Sequence, residues 1–121
     1  MVNNGNATTN GAITNSGDLY MWGLNNPDSN DAYGVLPETI DGALSSENNT
    51  APAKVNFKEY EEGEKFTNLT FWHLGGVTST DLLNIYTWGS YDFYEDRNGD
   101  NLRNVEKFTV EQFVTSAIAL K

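Results

Sequence analysis

Apolar residues in this chain gather in short runs whose neighbours point to opposite sides, and the clearest run is Leu19-Tyr20-Met21-Trp22-Gly23. As an extended strand it sets Leu19 and Met21 on one face and Tyr20 and Trp22 on the other. Both faces are largely apolar, as in a strand whose sheet is covered on two sides. Ile85-Tyr86-Thr87-Trp88-Gly89 repeats the same order of residue types. A third run, Phe66 to Gly76, carries the β-branched and aromatic residues of a half-buried strand. Asn15-Ser16-Gly17-Asp18 leads into the first run and the longer Ser79 to Asn84 into the second, and both read as hairpin turns. The pattern predicts an all-β chain of antiparallel hairpins.

The C-terminus carries two conflicting signals. Thr109 and Gln112 form a capping box, and Val110, Phe113, Val114, Ala117 and Ile118 follow helical spacing, so the local pattern predicts a short helix from Val110 to Leu120. Repetition of the preceding unit instead predicts a strand over Phe113 to Leu120.

That repetition organises the chain. Ala12-Ile13-Thr14 aligns with Gly76-Val77-Thr78, and Trp22 with Trp88, 66 residues further on. Pro52 to Phe57 precedes Phe66 as Arg103 to Phe108 precedes Phe113. The reading divides the chain into an Asn/Thr/Gly-rich segment, 1–11, and two units, 12–75 and 76–121.

Thr14 to Asn25, then Tyr33-Gly34-Val35-Leu36, then Pro52-Ala53-Lys54-Val55, together resemble the repeat of the regulator of chromosome condensation family. His73, five residues before Thr78, falls where that repeat carries a histidine. The resemblance covers residues 12–89 well and the remainder weakly. It implies antiparallel, four-stranded blades of a seven-bladed β-propeller, here a partial propeller of about two repeats. Trp22, Gly23, His73, Trp88 and Gly89 are then structural repeat residues, with the tryptophans packed between blades and His73 bonded to backbone. Thr70, Pro37 and the polar insert Pro27 to Asn49 depart from the family pattern. Two units leave two uncovered apolar flanks, so self-association through the Trp22 and Trp88 faces is expected, with the insert or a C-terminal helix as the rival cover.

Charge narrows the partners. The 121 residues carry 17 acidic and 7 basic side chains, a formal net charge of −10. Such a surface repels phosphate backbones and anionic lipid, so neither nucleic acid nor membrane is an expected partner. Cysteine is absent, which removes disulfides and thiolate chemistry. No cationic start followed by an apolar run marks a targeting segment, and localisation stays open. Sequons at Asn6, Asn48 and Asn68 are expected by chance in a chain this rich in Asn and Thr.

Candidate chemistry is sparse. His73 is the one histidine and has no assignable triad partners. Asp96, Asn98 and Asp100 imitate the start of a calcium loop, but Asn101 replaces its glycine and Lys107 its bidentate acid, so no metal is expected. Lys58 to Lys65, with Glu59, Glu61, Glu62 and Glu64, reads as a solvated turn. Tyr91, Phe93 and Tyr94, just after the second Trp-Gly, are the candidate partner-binding residues. The sequence thus predicts a non-enzymatic protein–protein interaction module without cofactor, part of a larger ring. A carbohydrate-binding or adhesive module of a microbial protein, with those aromatics stacking on sugars, is the alternative.

Overall fold

The computed structural model describes residues 2–3, 9–25, 35–45, 48–72, 75–89 and 103–111. They form two antiparallel four-stranded sheets, each a simple meander, as in successive propeller blades. The first contains β1 (Val2–Asn3), β2 (Thr9–Ile13), β3 (Leu19–Leu24) and β4 (Asn48–Lys54). The second contains β5 (Phe66–Trp72), β6 (Gly75–Thr80), β7 (Ile85–Gly89) and β8 (Glu106–Phe108). The segment 1–11 thus contributes β1 and the start of β2. β5, which the sequence assigns to the unit 12–75, pairs with β6 in the second sheet. Val110 and Glu111 have helical backbone, and 112–121 lie outside the described residues.

The repeat has a stricter register than residue likeness suggests. Asn10 pairs with Trp22 and Gly76 with Trp88; Ile13 pairs with Leu19 and Ser79 with Ile85. Every position in these two hairpins therefore maps onto its copy 66 residues later, which makes Ala12 the counterpart of Thr78 rather than of Gly76. The connecting turns are equal in length. The Thr14 N–H donates to the Asp18 carbonyl at 2.9 Å and the Gly17 N–H to Thr14 at 3.0 Å; Thr80, Asn84 and Leu83 repeat this at 3.1 and 3.0 Å. The outer strands are also shifted from their sequence alignment: Lys54 lies opposite Tyr20 as Lys107 lies opposite Tyr86.

Between the sheets lies one apolar core. The first sheet contributes Leu19 and Met21, and the second Phe66, Leu69, Phe71, Tyr86 and Trp88. These faces approach closely: a Cβ on Gly11 would lie 2.5 Å from Leu69 Cδ2 and 2.8 Å from Phe71 Cζ. A larger residue there would push the sheets apart. Phe57, from the connection between sheets, stacks at a tilt on Tyr86 with ring centroids 4.9 Å apart and meets Phe66 edge-on at 5.8 Å.

Trp22 and Trp88 do not play the same part. Trp88 is 2% exposed, whereas Trp22 is half-buried on the far side of the first sheet. Opposite Trp88 stands Gly76, where a Cβ would come within 2.6 Å of the indole, so the ring lies against bare backbone. Opposite Trp22 stands Asn10, which carries a side chain in that position. The two-sided burial expected of Leu19–Gly23 is therefore complete on the Leu19 and Met21 side and partial on the other.

The polar insert also differs from its sequence reading. Val35, Leu36 and Leu44 within it are buried, and the segment 35–45 packs into the core. Its apolar residues are too widely spaced among polar ones to register as a strand or helix.

Candidate functional site

A single arginine organises the surface that joins the two sheets. Arg103 sits just before β8, and its guanidinium reaches back to the 35–45 loop. Nε donates to the Leu36 carbonyl at 3.1 Å, and one terminal nitrogen donates to Leu44 at 2.6 Å and Pro37 at 3.4 Å. Burial lowers its pKa, opposed by the nearby Glu38 carboxylate. The planar fork suits several carbonyls at once, which a lysine could not span. Asn25 holds the same loop from inside, donating to the Leu44 carbonyl at 2.7 Å and accepting from the Leu36 N–H at 3.1 Å. Trp88 adds a bond from its indole N–H to the Val35 carbonyl at 3.1 Å.

So anchored, the loop forms one wall of an open groove of about 720 Å³. Glu38, Thr39 and Ile40 line one side, Asn104, Val105 and Glu106 the other, with Lys58 also contributing. Backbone bonds fix this wall at both ends: the Glu38 N–H donates to Arg103 at 2.8 Å and the Ile40 N–H to Asn56 at 3.1 Å. Ile40 is 67% exposed, a large aliphatic side chain held in water by a well-anchored backbone. The groove thus combines apolar contact area with two carboxylates and one ammonium.

Nearby lies a buried polar cluster centred on Glu64, which is 2% exposed. One carboxylate oxygen accepts from the Thr80 hydroxyl at 2.6 Å and the Asn84 amide at 2.7 Å. The other accepts from the Tyr86 hydroxyl at 2.8 Å and the Glu61 N–H at 2.9 Å. Burial alone would raise the Glu64 pKa, but together these donors outweigh it and hold the pKa below its ordinary value. Tyr86 is pushed upward, first by burial and then by its bond to Glu64. Lys107 closes the cluster, donating to the Glu59 carbonyl at 3.0 Å and pairing with Glu61 at 3.5 Å. The Lys58–Lys65 segment is therefore no simple solvated turn. Its final carboxylate is a buried anchor, committed through four donors to holding the connection between sheets against the second hairpin.

The residues singled out by sequence are divided. Gly23 and Gly89 both have positive φ, 120° and 89°, a backbone state that glycine enters without a Cβ clash. Trp88 is core and Trp22 half-buried flank. His73, Tyr91, Phe93, Tyr94 and the acidic string Glu95 to Asn101 lie outside the described residues. No local motif marks Arg103 or Glu64 as an anchor: apart from the Glu61 N–H, three residues from Glu64, the partners of their side chains lie 16 to 67 residues away.

No protein-family model and no curated protein matches this sequence. Among solved structures, the crystal structure of human WBSCR16 is similar, with a TM-score of 0.58 at 12% identity. The match covers 89% of this chain and 24% of that one. At this identity the likeness bears on fold alone: the chain is all-β and partial-propeller-like, spanning about a quarter of the length of that structure.

Proposed function

We propose that this chain is a propeller-type, non-enzymatic protein–protein interaction module whose partner contacts the groove between the 35–45 loop and β8. The observation that carries this reading is the anchored exposure of Ile40. Arg103, Asn25 and two backbone bonds hold a loop that presents a large aliphatic side chain to water, flanked by Glu38, Lys58 and Glu106. A rigid, amphipathic lining limits the ordering cost of binding. The buried ionisable groups support an architectural role, since Glu64, Tyr86 and Arg103 all have fixed partners within the fold.

Affinity capture with the full chain and with an Ile40→Asp, Lys58→Glu variant tests the assignment. Both substitutions fall on exposed side chains, and circular dichroism checks that the fold is kept. A partner retained by the original chain and lost by the variant supports the groove. Equal retention moves the contact elsewhere, and loss on replacing Tyr91, Phe93 and Tyr94 by Ala would place it after the second Trp-Gly. Saturable binding on a glycan array, abolished by those same aromatic replacements, would favour the carbohydrate-binding alternative.

A further inference from the structure

The two faces of the repeated sheet are different, and within this chain one is already seated on the other. The first sheet presents Gly11, Leu19 and Met21 to the second, whereas the second presents Gly76, Tyr86 and Trp88 to the first. In the 66-residue register the contact is therefore heterologous: the Leu19 side of one unit meets the side that bears Tyr86 and Trp88 in the next.

Among the described residues this leaves one flank of each kind without a facing sheet. Tyr20 and Trp22 are the copies of Tyr86 and Trp88 and are only half-buried. Val77 and Ile85 are the copies of Gly11 and Leu19 on the outer side of the second sheet and are also half-buried, while Thr87 beside them, the copy of Met21, is 8% exposed. The Trp88 face is enclosed within the molecule and cannot serve association, which corrects the expectation that both tryptophan faces would do so. We propose that a second copy of this chain docks its Val77 and Ile85 flank on the Tyr20 and Trp22 flank of the first, repeating the internal sheet-to-sheet contact between molecules. This deepens the reading of the chain as an interaction module and rests on it.

The internal contact is what identifies the occupant, because it shows which kind of face covers a Tyr-x-Trp flank in this fold. A heterologous contact does not consume itself as a two-fold one does. Each added copy leaves another flank of each kind, so assembly proceeds until it closes into a ring or runs on as a filament. Asn10, opposite Trp22 where Gly76 stands opposite Trp88, makes the intermolecular contact the looser of the two.

Sedimentation velocity of the full chain, with flank variants mixed in pairs, tests this. The unmodified chain is expected to sediment faster as its concentration rises through the micromolar range. Trp22→Lys blocks one flank and Ile85→Lys the other, so each alone should be monomeric. Their equimolar mixture should form a dimer and nothing larger, since one sound flank of each kind remains. Tyr20→Lys and Val77→Lys provide a second pair should either first variant fail by circular dichroism to fold. A monomeric original chain overturns the proposal, as does a mixture that stays monomeric. Self-association of one single-flank variant would indicate a two-fold contact and would also overturn it. Partner capture through Ile40 is read separately, so a monomer that still holds its partner refutes this inference and leaves the groove assignment standing.

Discussion

Leu83 holds, in the second hairpin turn, the left-handed backbone position that Gly17 holds in the first. Their φ angles are 62° and 86°, and they make equivalent bonds to Thr80 and Thr14. The two sites differ in what surrounds them. A Cβ on Gly17 would come 2.5 Å from the Lys65 Cβ, whereas Leu83 is 62% exposed. A leucine in this conformation costs roughly 1 kcal/mol relative to glycine.

The same exchange should therefore have opposite effects at the two positions. Leu83→Gly is expected to stabilise the protein by about 0.5 kcal/mol or less, because the relief of left-handed strain is partly offset by the greater freedom that glycine gives the unfolded chain. Gly17→Ala is expected to destabilise it by about 1–3 kcal/mol through both backbone strain and the clash with Lys65. Urea titrations of the two variants, compared with the original chain, give both signs in one experiment.

Acid should weaken the fold through Glu64. Its carboxyl has a lower pKa folded than unfolded, so the unfolded chain takes up the proton first. The stabilisation is fully present above the ordinary carboxyl value of 4.5 and is lost as pH falls toward the lowered folded value. Glu64→Gln, which presents a donor to the cluster where it needs an acceptor, should cost about 2–3 kcal/mol at neutral pH. It should also flatten the decline below pH 4.5, as followed by thermal melts across an acid series. An unchanged decline in the variant would assign acid sensitivity to other carboxylates.

The tryptophans should separate by mutation. Trp88→Ala removes a buried indole and its bond to Val35, for a cost of about 3–5 kcal/mol. Trp22→Ala, starting from half-burial, should cost roughly half as much or less in dilute protein. Denaturant midpoints decide the order. Equal losses would mean that the outer flank is as well covered as the inner one.

Arg103→Lys should loosen one loop more than it lowers overall stability. A single ammonium cannot replace bonds to Leu36, Pro37 and Leu44 together, so amide exchange over 35–45 should accelerate at least tenfold while β2, β3, β6 and β7 stay protected. Uniform acceleration across the chain would show instead that Arg103 supports the whole core.

Much of the architecture was legible because alternation survives small errors. Matching Ala12-Ile13-Thr14 to Gly76-Val77-Thr78 slips the first strand by two residues, and a slip of two preserves which side chains share a face. The slip arose at Leu83, whose side chain conceals a turn that Gly17 announces openly. The sequence surroundings of Trp22 match those of Trp88 and so predict a core position for both. The residue that separates them, Asn10 against Gly76, lies on the neighbouring strand and becomes relevant only once register is known. The groove was illegible for a different reason. Glu38, Ile40 and Val105 become neighbours only after Arg103 ties a first-unit loop to a second-unit strand.

That tie also bears on the order in which the chain can fold. The bonds from Trp88 to Val35 and from Arg103 to Leu36 join residues 53 and 67 positions apart, and the Leu36 and Trp88 side chains are enclosed by the same core. Closing such long loops requires most of the polypeptide to have been made and both meanders to have met. Each hairpin forms locally and early, but neither gains its cover until the other arrives. Folding is accordingly expected to be slow for a chain of this length and all-or-none, and a nascent chain paused before Arg103 would hold the 35–45 loop unmoored.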